Sequence, residues 1–138
     1  MNYWVFKCDR KKYRLDDSLN DPAQPITWRV TDYRDEIKPG DVAFISQTRN
    51  DRGMRTVVKT ESYPAAIPEI PSELKYWVRN PIDEYRAKGV LARRGKVISF
   101  KTLKTIPKLA DLSIYSQKRA TNFKLTQAEG KTIMGLIL

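Results

Sequence analysis

The apolar segments of this chain are short, and turn-forming residues separate them. The segment Val42-Ala43-Phe44-Ile45 is typical: β-branched and aromatic residues follow a Lys38-Pro39-Gly40-Asp41 turn. No apolar run approaches the ~18 residues that a membrane-spanning helix needs. Such a chain buries its apolar residues by pairing several short strands, and the pattern predicts five or six of them.

The expected elements are an α+β set within a single domain, residues 1–138. Strands are predicted at residues 2–8, 41–47, 54–62, 74–79 and 84–93, and residues 26–30 form a short strand or an extended entry to a site. One helical turn is expected at 15–19, a loop at 20–25 and a proline-rich extended surface loop at 63–72. Ser99 caps a predicted helix at 100–106 that Pro107 stops. The capping box Thr126-Gln127-Ala128-Glu129 opens a C-terminal helix to about Leu138. The simplest arrangement is a small β-barrel with helices packed outside.

Cysteine and histidine usage restricts the possible chemistry. Cys8 is the single cysteine, which excludes an internal disulfide and favours a cytoplasmic location. The chain has no histidine, which removes His-based triads, imidazole bases and nearly every zinc or non-haem iron site. We therefore expect a protein that is not an enzyme and uses neither a metal nor a cofactor. Cys8 is interpreted as a small buried hydrophobic residue.

The net charge of +10 is concentrated in one segment. Residues 1–84 hold 14 Lys/Arg and 14 Asp/Glu, whereas residues 85–108 hold eight cations and no acid: Arg86, Lys88, Arg93, Arg94, Lys96, Lys101, Lys104 and Lys108. Localised positive charge is what a protein that contacts phosphates needs. A solvated face on a basic protein and a surface for an acidic protein remain alternatives.

An ordered set of motifs resembles the EVE domain family of the PUA-like superfamily. The set consists of Tyr3-Trp4-Val5-Phe6-Lys7, Trp28-Arg29-Val30, Lys38-Pro39-Gly40-Asp41, Asp51-Arg52-Gly53 and Thr121-Asn122-Phe123-Lys124-Leu125-Thr126. The chain departs from the family pattern at Ser46, where an aromatic residue often stands, and at Ala120, where the family often has glycine.

The resemblance implies a PUA-like β-barrel with short flanking helices, related in architecture to the YTH readers of methylated adenosine in RNA. It also implies a binding module for modified bases in DNA, typical of prokaryotic restriction or defence proteins, where a partner chain would supply any cleavage. The alternatives are an RNA-binding module, a small enzyme that acts on nucleotides, and a protein-interaction subunit of a defence complex.

A reader of modified bases needs an aromatic wall, small polar groups and a cationic rim, because the extruded base is stacked and hydrogen-bonded in a pocket. Trp28 is the first aromatic candidate, and a core tryptophan is the alternative; Trp4 reads as core, and Trp77 as packing under the proline-rich loop. The polar candidates are Ser46, Thr48, Arg52, Gly53, Thr121 and Asn122. Each has a structural alternative: solvent-facing strand residues for Ser46 and Thr48, an ordinary turn for Arg52-Gly53, and a local turn for Asn122, beside a core Phe123.

The candidate phosphate-binding residues are Arg86, Lys88, Arg93, Arg94 and Lys96. Asp41 is interpreted as a turn residue, and the acids around Asp35 and Glu36 as a solvated face. The predicted partner is nucleic acid, with DNA favoured and RNA possible, and no membrane.

Overall fold

The computed structural model describes residues 1–9, 26–48, 52–67, 84–93, 97–116 and 120–137. Its strands are β1 (Tyr3–Asp9), β2 (Ile26–Arg29), β3 (Val42–Thr48), β4 (Gly53–Thr60), β5 (Ala65–Ile67), β6 (Glu84–Arg93), β7 (Ile98–Ser99) and β8 (Asn122–Leu125). The helices are α1 (Phe100–Leu103) and α2 (Gln127–Ile137), and short 3₁₀ turns occupy Pro107–Leu109 and Ser113–Tyr115. In this part of the chain, no helix is long and apolar enough to cross a membrane.

The strands form one mixed sheet in the order β2-β6-β4-β3-β1-β8, with β5 added on β6 and β7 on β4. Strands β1 and β3 run parallel, with Tyr3 opposite Val42, and the other pairs are antiparallel. The α+β class predicted from the sequence is confirmed. Within the described ranges no backbone ladder joins β2 to β8, so closure into a barrel stays a prediction.

The two faces of the sheet carry separate apolar clusters, because successive strand residues point to opposite sides. The outer cluster contains Tyr3, Val5 and Phe44, and α2 packs Ile133 and Ile137 into it. The inner cluster consists of Trp4, Phe6, Cys8, Trp28, Val30, Ile37, Ala43, Ile45 and Val58. Cys8 is therefore a buried thiol within the inner cluster, as its interpretation from the sequence required.

The helices begin where the sequence places them. Ser99 Oγ accepts a hydrogen bond from Thr102 N at 3.1 Å, so the predicted cap of α1 is confirmed. Thr126 N donates to Glu129 Oε1 at 2.8 Å and Glu129 N donates to Thr126 Oγ1 at 3.1 Å, which is the predicted capping box of α2. Helix α1 ends at Leu103 rather than at residue 106, and Pro107 instead opens a 3₁₀ turn.

One loop prediction needs correction. The proline-rich segment 63–72 contains β5, which pairs with β6 so that Ala66 lies opposite Tyr85. Between Pro64 and Pro68, three residues keep their backbone N–H groups, and these suffice for a short edge strand. The helical turn at 15–19, the loop at 20–25 and the strand at 74–79 lie outside the described residues, as do Trp77 and the rest of the proline-rich loop.

Candidate nucleic-acid interface

The strand registers gather the predicted polar site residues at one end of the sheet. Ser46 lies opposite Lys7 and Met54, and Gly53 lies opposite Gln47. Lys7 N donates to Thr121 O at 2.9 Å, which brings the start of β8 to the same end. Strand β3 finishes there at Thr48, whose side chain lies outside the described part. Candidates from three separate chain segments therefore meet where β1 and β3 finish.

Trp28 lies on the inner face of the sheet, on edge strand β2. It is 9% exposed and packs in the inner cluster, and its backbone partner on β6 is Ala87. Trp4, in the same cluster, is fully buried, and its Nε1 donates to Asp41 Oδ2 at 2.9 Å. The core interpretation of Trp4 is confirmed. Of these two tryptophans, Trp28 is the one that keeps some exposed surface.

Asn122 joins the end of β2 to β8. Its Oδ1 accepts hydrogen bonds from Thr31 N at 2.9 Å and Asp32 N at 3.2 Å, and its Nδ2 donates to Arg29 O at 3.1 Å. Asp32 reciprocates, because its Oδ2 accepts from Thr121 N at 3.1 Å. The two edge strands of the sheet thus meet through side chains, one residue away from Trp28.

The side chains of the predicted pocket residues divide between the two faces. Asn122 lies opposite Phe6 of the inner cluster. Ser46 alternates with Ile45 and therefore lies on the outer side, where its buried Oγ makes no hydrogen bond to a described residue. Phe123, next to Asn122, packs in the outer cluster, as its core interpretation required.

Two polar residues of the inner face were not among the sequence candidates. Gln47 follows Ile45 by two residues, and Thr56 lies opposite Ile45; both are fully buried. The inner position of Gln47 could be predicted from the sequence once Ile45 is assigned to the inner face, because Ala43, Ile45 and Gln47 alternate along β3. Thr56 was not readable in this way, because the register of β3 and β4 shifts between Ile45 and Ser46.

Arg52 and Gly53 lie against the helical segment that follows β7. Arg52 Nη2 donates to Tyr115 O at 3.2 Å, and its guanidinium lies 5.1 Å from the Phe100 ring centroid. An added Cβ at Gly53 would lie 2.5 Å from Ile98 O, so glycine is needed here for the close approach of β7 to β4. The pKa of Tyr115 is raised to about 12, first by burial of the phenol and then by the charge of Glu129.

The predicted phosphate-binding residues lie on and after β6. Arg86 and Lys88 flank Ala87, the backbone partner of Trp28, and Arg93 lies opposite Val57. The structure describes only the backbone of these three residues, and Arg94 and Lys96 lie outside it. No cluster of Cys, Asp and Glu in the described ranges could hold a metal ion.

The turn that precedes β3 combines strain with exposure. Tyr33 has a φ of 58°, a left-handed conformation that only a few per cent of non-glycine residues adopt. Tyr33 is 42% exposed, and its ring centroid lies 5.2 Å from that of Trp4. Lys124 approaches the same Trp4 ring at 5.7 Å and pairs with Glu36 at 2.6 Å. Glu36, expected on a solvated face, is exposed and carries this surface ion pair.

Comparison with solved structures shows the same fold in several proteins. Human THYN1 in complex with DNA that contains 5-methylcytosine matches with a TM-score of 0.71 at 15% identity, over 99% of this chain and 97% of that one. Rpa0253 from Rhodopseudomonas palustris matches with a TM-score of 0.71 at 16% identity, over 99% and 93%. The YTH domain of Zygosaccharomyces rouxii MRB1, in complex with N6-methyladenosine RNA, matches with a TM-score of 0.59 at 12% identity, over 99% and 86%.

Of the two sequence comparisons, only the one with family models gives a match. No curated protein matches the chain in sequence. The model of the EVE domain family matches residues 2–136, which is nearly the whole chain and contains every motif on which the resemblance was based. The chain belongs to the EVE domain family.

Proposed function

We propose that this protein is a non-catalytic module that binds nucleic acid, with DNA favoured, and recognises a modified base that has left the helix. Membership of the EVE family supports this function, as does the fold shared with THYN1, which was solved with 5-methylcytosine DNA, and with a YTH domain solved with methylated RNA. The observation that carries the proposal is that Trp28, Asn122, Gln47 and Thr56 share the inner face of the sheet.

In this proposal Trp28 supplies the stacking surface. An extruded base loses its neighbours in the helix, and stacking on an aromatic side chain recovers about 1–3 kcal/mol per base. Trp28 lies on edge strand β2 and keeps a small exposed surface, whereas Trp4 is fully buried. The base enters where β2 and β8 meet.

Asn122 is held so that part of its amide can serve a base edge. Its Oδ1 already accepts two hydrogen bonds, and its Nδ2 donates one of its two N–H groups to Arg29 O. Because no other described residue accepts from this amide, the proposal assigns the second N–H to an acceptor on the base. The sequence also offers Ser46, Thr48, Arg52, Gly53 and Thr121 as candidates. Their position at the same end of the sheet supports contacts with the edge of the base or the backbone beside it, rather than stacking on its face.

The phosphates on either side of the base are bound, in this proposal, by Arg86, Lys88, Arg93, Arg94 and Lys96. Arg86 and Lys88 stand on the strand next to Trp28, which supports contacts close to the extruded nucleotide. Contacts of this kind hold and orient the nucleic acid without reading its sequence.

Binding to matched oligonucleotides tests the proposal. Fluorescence anisotropy should show tighter binding to DNA with methylated or hydroxymethylated cytosine, or methylated adenine, than to plain DNA at the same salt concentration. Trp28→Leu, which removes the aromatic face and retains much of the packing volume, should weaken binding to the preferred DNA by about tenfold or more. Trp28→Phe is the matched control and should retain most of the preference, since it keeps an aromatic face.

Three outcomes would change the proposal. Equal affinity for modified and plain DNA would remove base reading from it. A preference for the RNA form of the same oligonucleotide would assign the module to RNA through the 2′-hydroxyl. Sustained turnover of nucleotides by the purified protein would show that it is an enzyme.

A further inference from the structure

The helical segment after β7 and the neighbouring Arg52 present exposed cations that no described acid neutralises. Arg52, Lys101, Lys104 and Lys108 are all exposed, and none of them pairs with a carboxylate of a described residue. Asp111 is the only acid between residues 97 and 116. We call the surface formed by Arg52, Lys101 and Lys104 the α1 cationic surface.

Arg52 is held on this surface by contacts with an aromatic ring and a backbone carbonyl, and no carboxylate of a described residue pairs with it. Its backbone O accepts a hydrogen bond from Phe100 N at 2.9 Å, its guanidinium lies over the Phe100 ring, and one amine donates to Tyr115 O. A guanidinium has five N–H donors, and one of them binds a described residue, Tyr115, so that this proposal assigns others to an anion. Holding the side chain in advance lowers the entropy lost on binding.

Lys104 is held over the ring next to that of Phe100. Its Nζ lies 4.9 Å from the Tyr115 ring centroid, and the Tyr115 and Phe100 rings meet edge to face at 5.4 Å. Tyr115 Oη donates to Leu109 O at 2.6 Å, which fixes the ring. The Tyr115 phenol is neutral at physiological pH, as an ordinary phenol is, and so does not offset the lysine charge.

Lys101 completes the surface from the same helix. It lies three residues before Lys104, and residues at this spacing are neighbours on a helix surface. It is exposed and has no ionic partner in the described ranges. Two of the three cations, Arg52 and Lys104, thus lie over the rings of a packed aromatic pair, and Lys101 is the neighbour of Lys104 on the helix.

We propose that the α1 cationic surface binds phosphates of the nucleic-acid strand outside the modified nucleotide. This inference rests on the proposed function for the identity of the ligand. The surface lies next to the end of β3 and the start of β4, because Gly53 pairs with both Gln47 and Ser99. It consists of residues other than the candidate phosphate-binding residues of β6, and would add further phosphate contacts beside the gathered polar residues.

The salt dependence of binding tests this site, because each phosphate contact that is lost makes the plot of log affinity against log salt shallower by about 1. The double variant Lys101→Ala/Lys104→Ala should reduce the slope by about 2. It should weaken binding to modified and plain DNA by the same factor, so that their affinity ratio stays at the wild-type value. Arg52→Ala should reduce the slope by about 1.

A charge-matched control separates local contacts from the general field of a basic protein. Lys38→Ala/Lys131→Ala removes the same charge from exposed lysines near the starts of β3 and β1, since Lys131 follows the Gly130 that lies against Tyr3, and should leave the slope within about 0.5 of wild type. An unchanged slope for the Lys101/Lys104 variant, or an equal decrease for the control, would overturn the proposed surface. If the wild-type protein binds modified and plain DNA equally, that result contradicts the proposed function instead. The slope can still be measured on plain DNA, so the two failures are distinguishable.

Discussion

Asp41 shows how one residue can organise the start of a strand. Its carboxylate is fully buried and accepts from Asn2 N at 2.9 Å, Trp4 Nε1 at 2.9 Å and Lys38 N at 3.1 Å. The preceding Gly40 has a φ of 91°, which favours glycine and turns the chain into β3. The interpretation of Asp41 as a turn residue is confirmed, but the same carboxylate also fixes the Trp4 ring and the N-terminus of β1.

We expect Asp41→Ala to lower the free energy of unfolding by about 3 kcal/mol, because three buried or partly buried donors lose their acceptor together. Urea denaturation monitored by tryptophan fluorescence measures this change. Asp35→Ala is the control: Asp35 is an exposed acid close by, and its loss should change stability by less than about 0.5 kcal/mol. Equal stability of the two variants would contradict the structural role given to Asp41.

At the scale of elements, the docking of α2 depends on a glycine. A Cβ at Gly130 would overlap the Tyr3 ring of β1, so the helix lies directly against an aromatic side chain of the strand. Tyr3 is itself nearly parallel to Phe44, with ring centroids 6.2 Å apart. The capping box predicted the helix, whereas the closeness of its approach follows from the missing side chain at residue 130.

A pair of glycine substitutions in α2 tests this contact. Gly130→Ala should reduce stability by about 1–3 kcal/mol despite the better helix propensity of alanine, because Tyr3 has to move within a packed cluster. Gly135→Ala adds a Cβ that meets nothing within 4 Å and should stabilise the protein by about 0.5–1 kcal/mol. Thermal denaturation of both variants gives the comparison. A stabilising Gly130→Ala would show that α2 does not lie this close to β1.

At the scale of the whole molecule, side chains connect the first strand of the sheet to the last. The contact runs through the side chains of Asn122 and Asp32 rather than through a backbone ladder, and Asn122 donates to the backbone of Arg29, the residue after Trp28. Because this contact lies at the proposed entry of the base, its strength bears on both stability and binding.

We expect Asn122→Ala to lower stability by about 2 kcal/mol, since Thr31 N and Asp32 N lose their acceptor and Arg29 O loses a donor. Hydrogen exchange of the Thr31 and Asp32 amides should become faster while exchange in β1 and β3 changes less. Asn2→Ala is the matched control, because within the described part only the backbone of Asn2 makes hydrogen bonds. Unchanged exchange at Thr31 would mean that Asn122 does not join the edges.

Much of the fold could be predicted because its signals are local. The Pro-Gly turn before β3, the capping box of α2 and the Ser99 cap are each short patterns whose physics involves neighbouring residues alone. The strand β5 was missed because its pairing with β6 overrides the expectation that proline-rich segments are loops. The Ser46 side chain was placed among the base-edge candidates, yet alternation puts it on the face opposite Trp28, and the outward position follows only once Ile45 is known to point inward.

The sequence by itself determined the α+β class, the position of the helix caps, the absence of imidazole chemistry and the family. Only the tertiary structure decided which polar residues share the inner face, that Arg52 turns toward Phe100 and Tyr115, and that Asn122 joins two strands about ninety residues apart in the chain. The physical reason is range: turns and caps are set by hydrogen bonds within a few residues, whereas a site depends on strand register and on a bulge, and these are fixed when distant segments pack together.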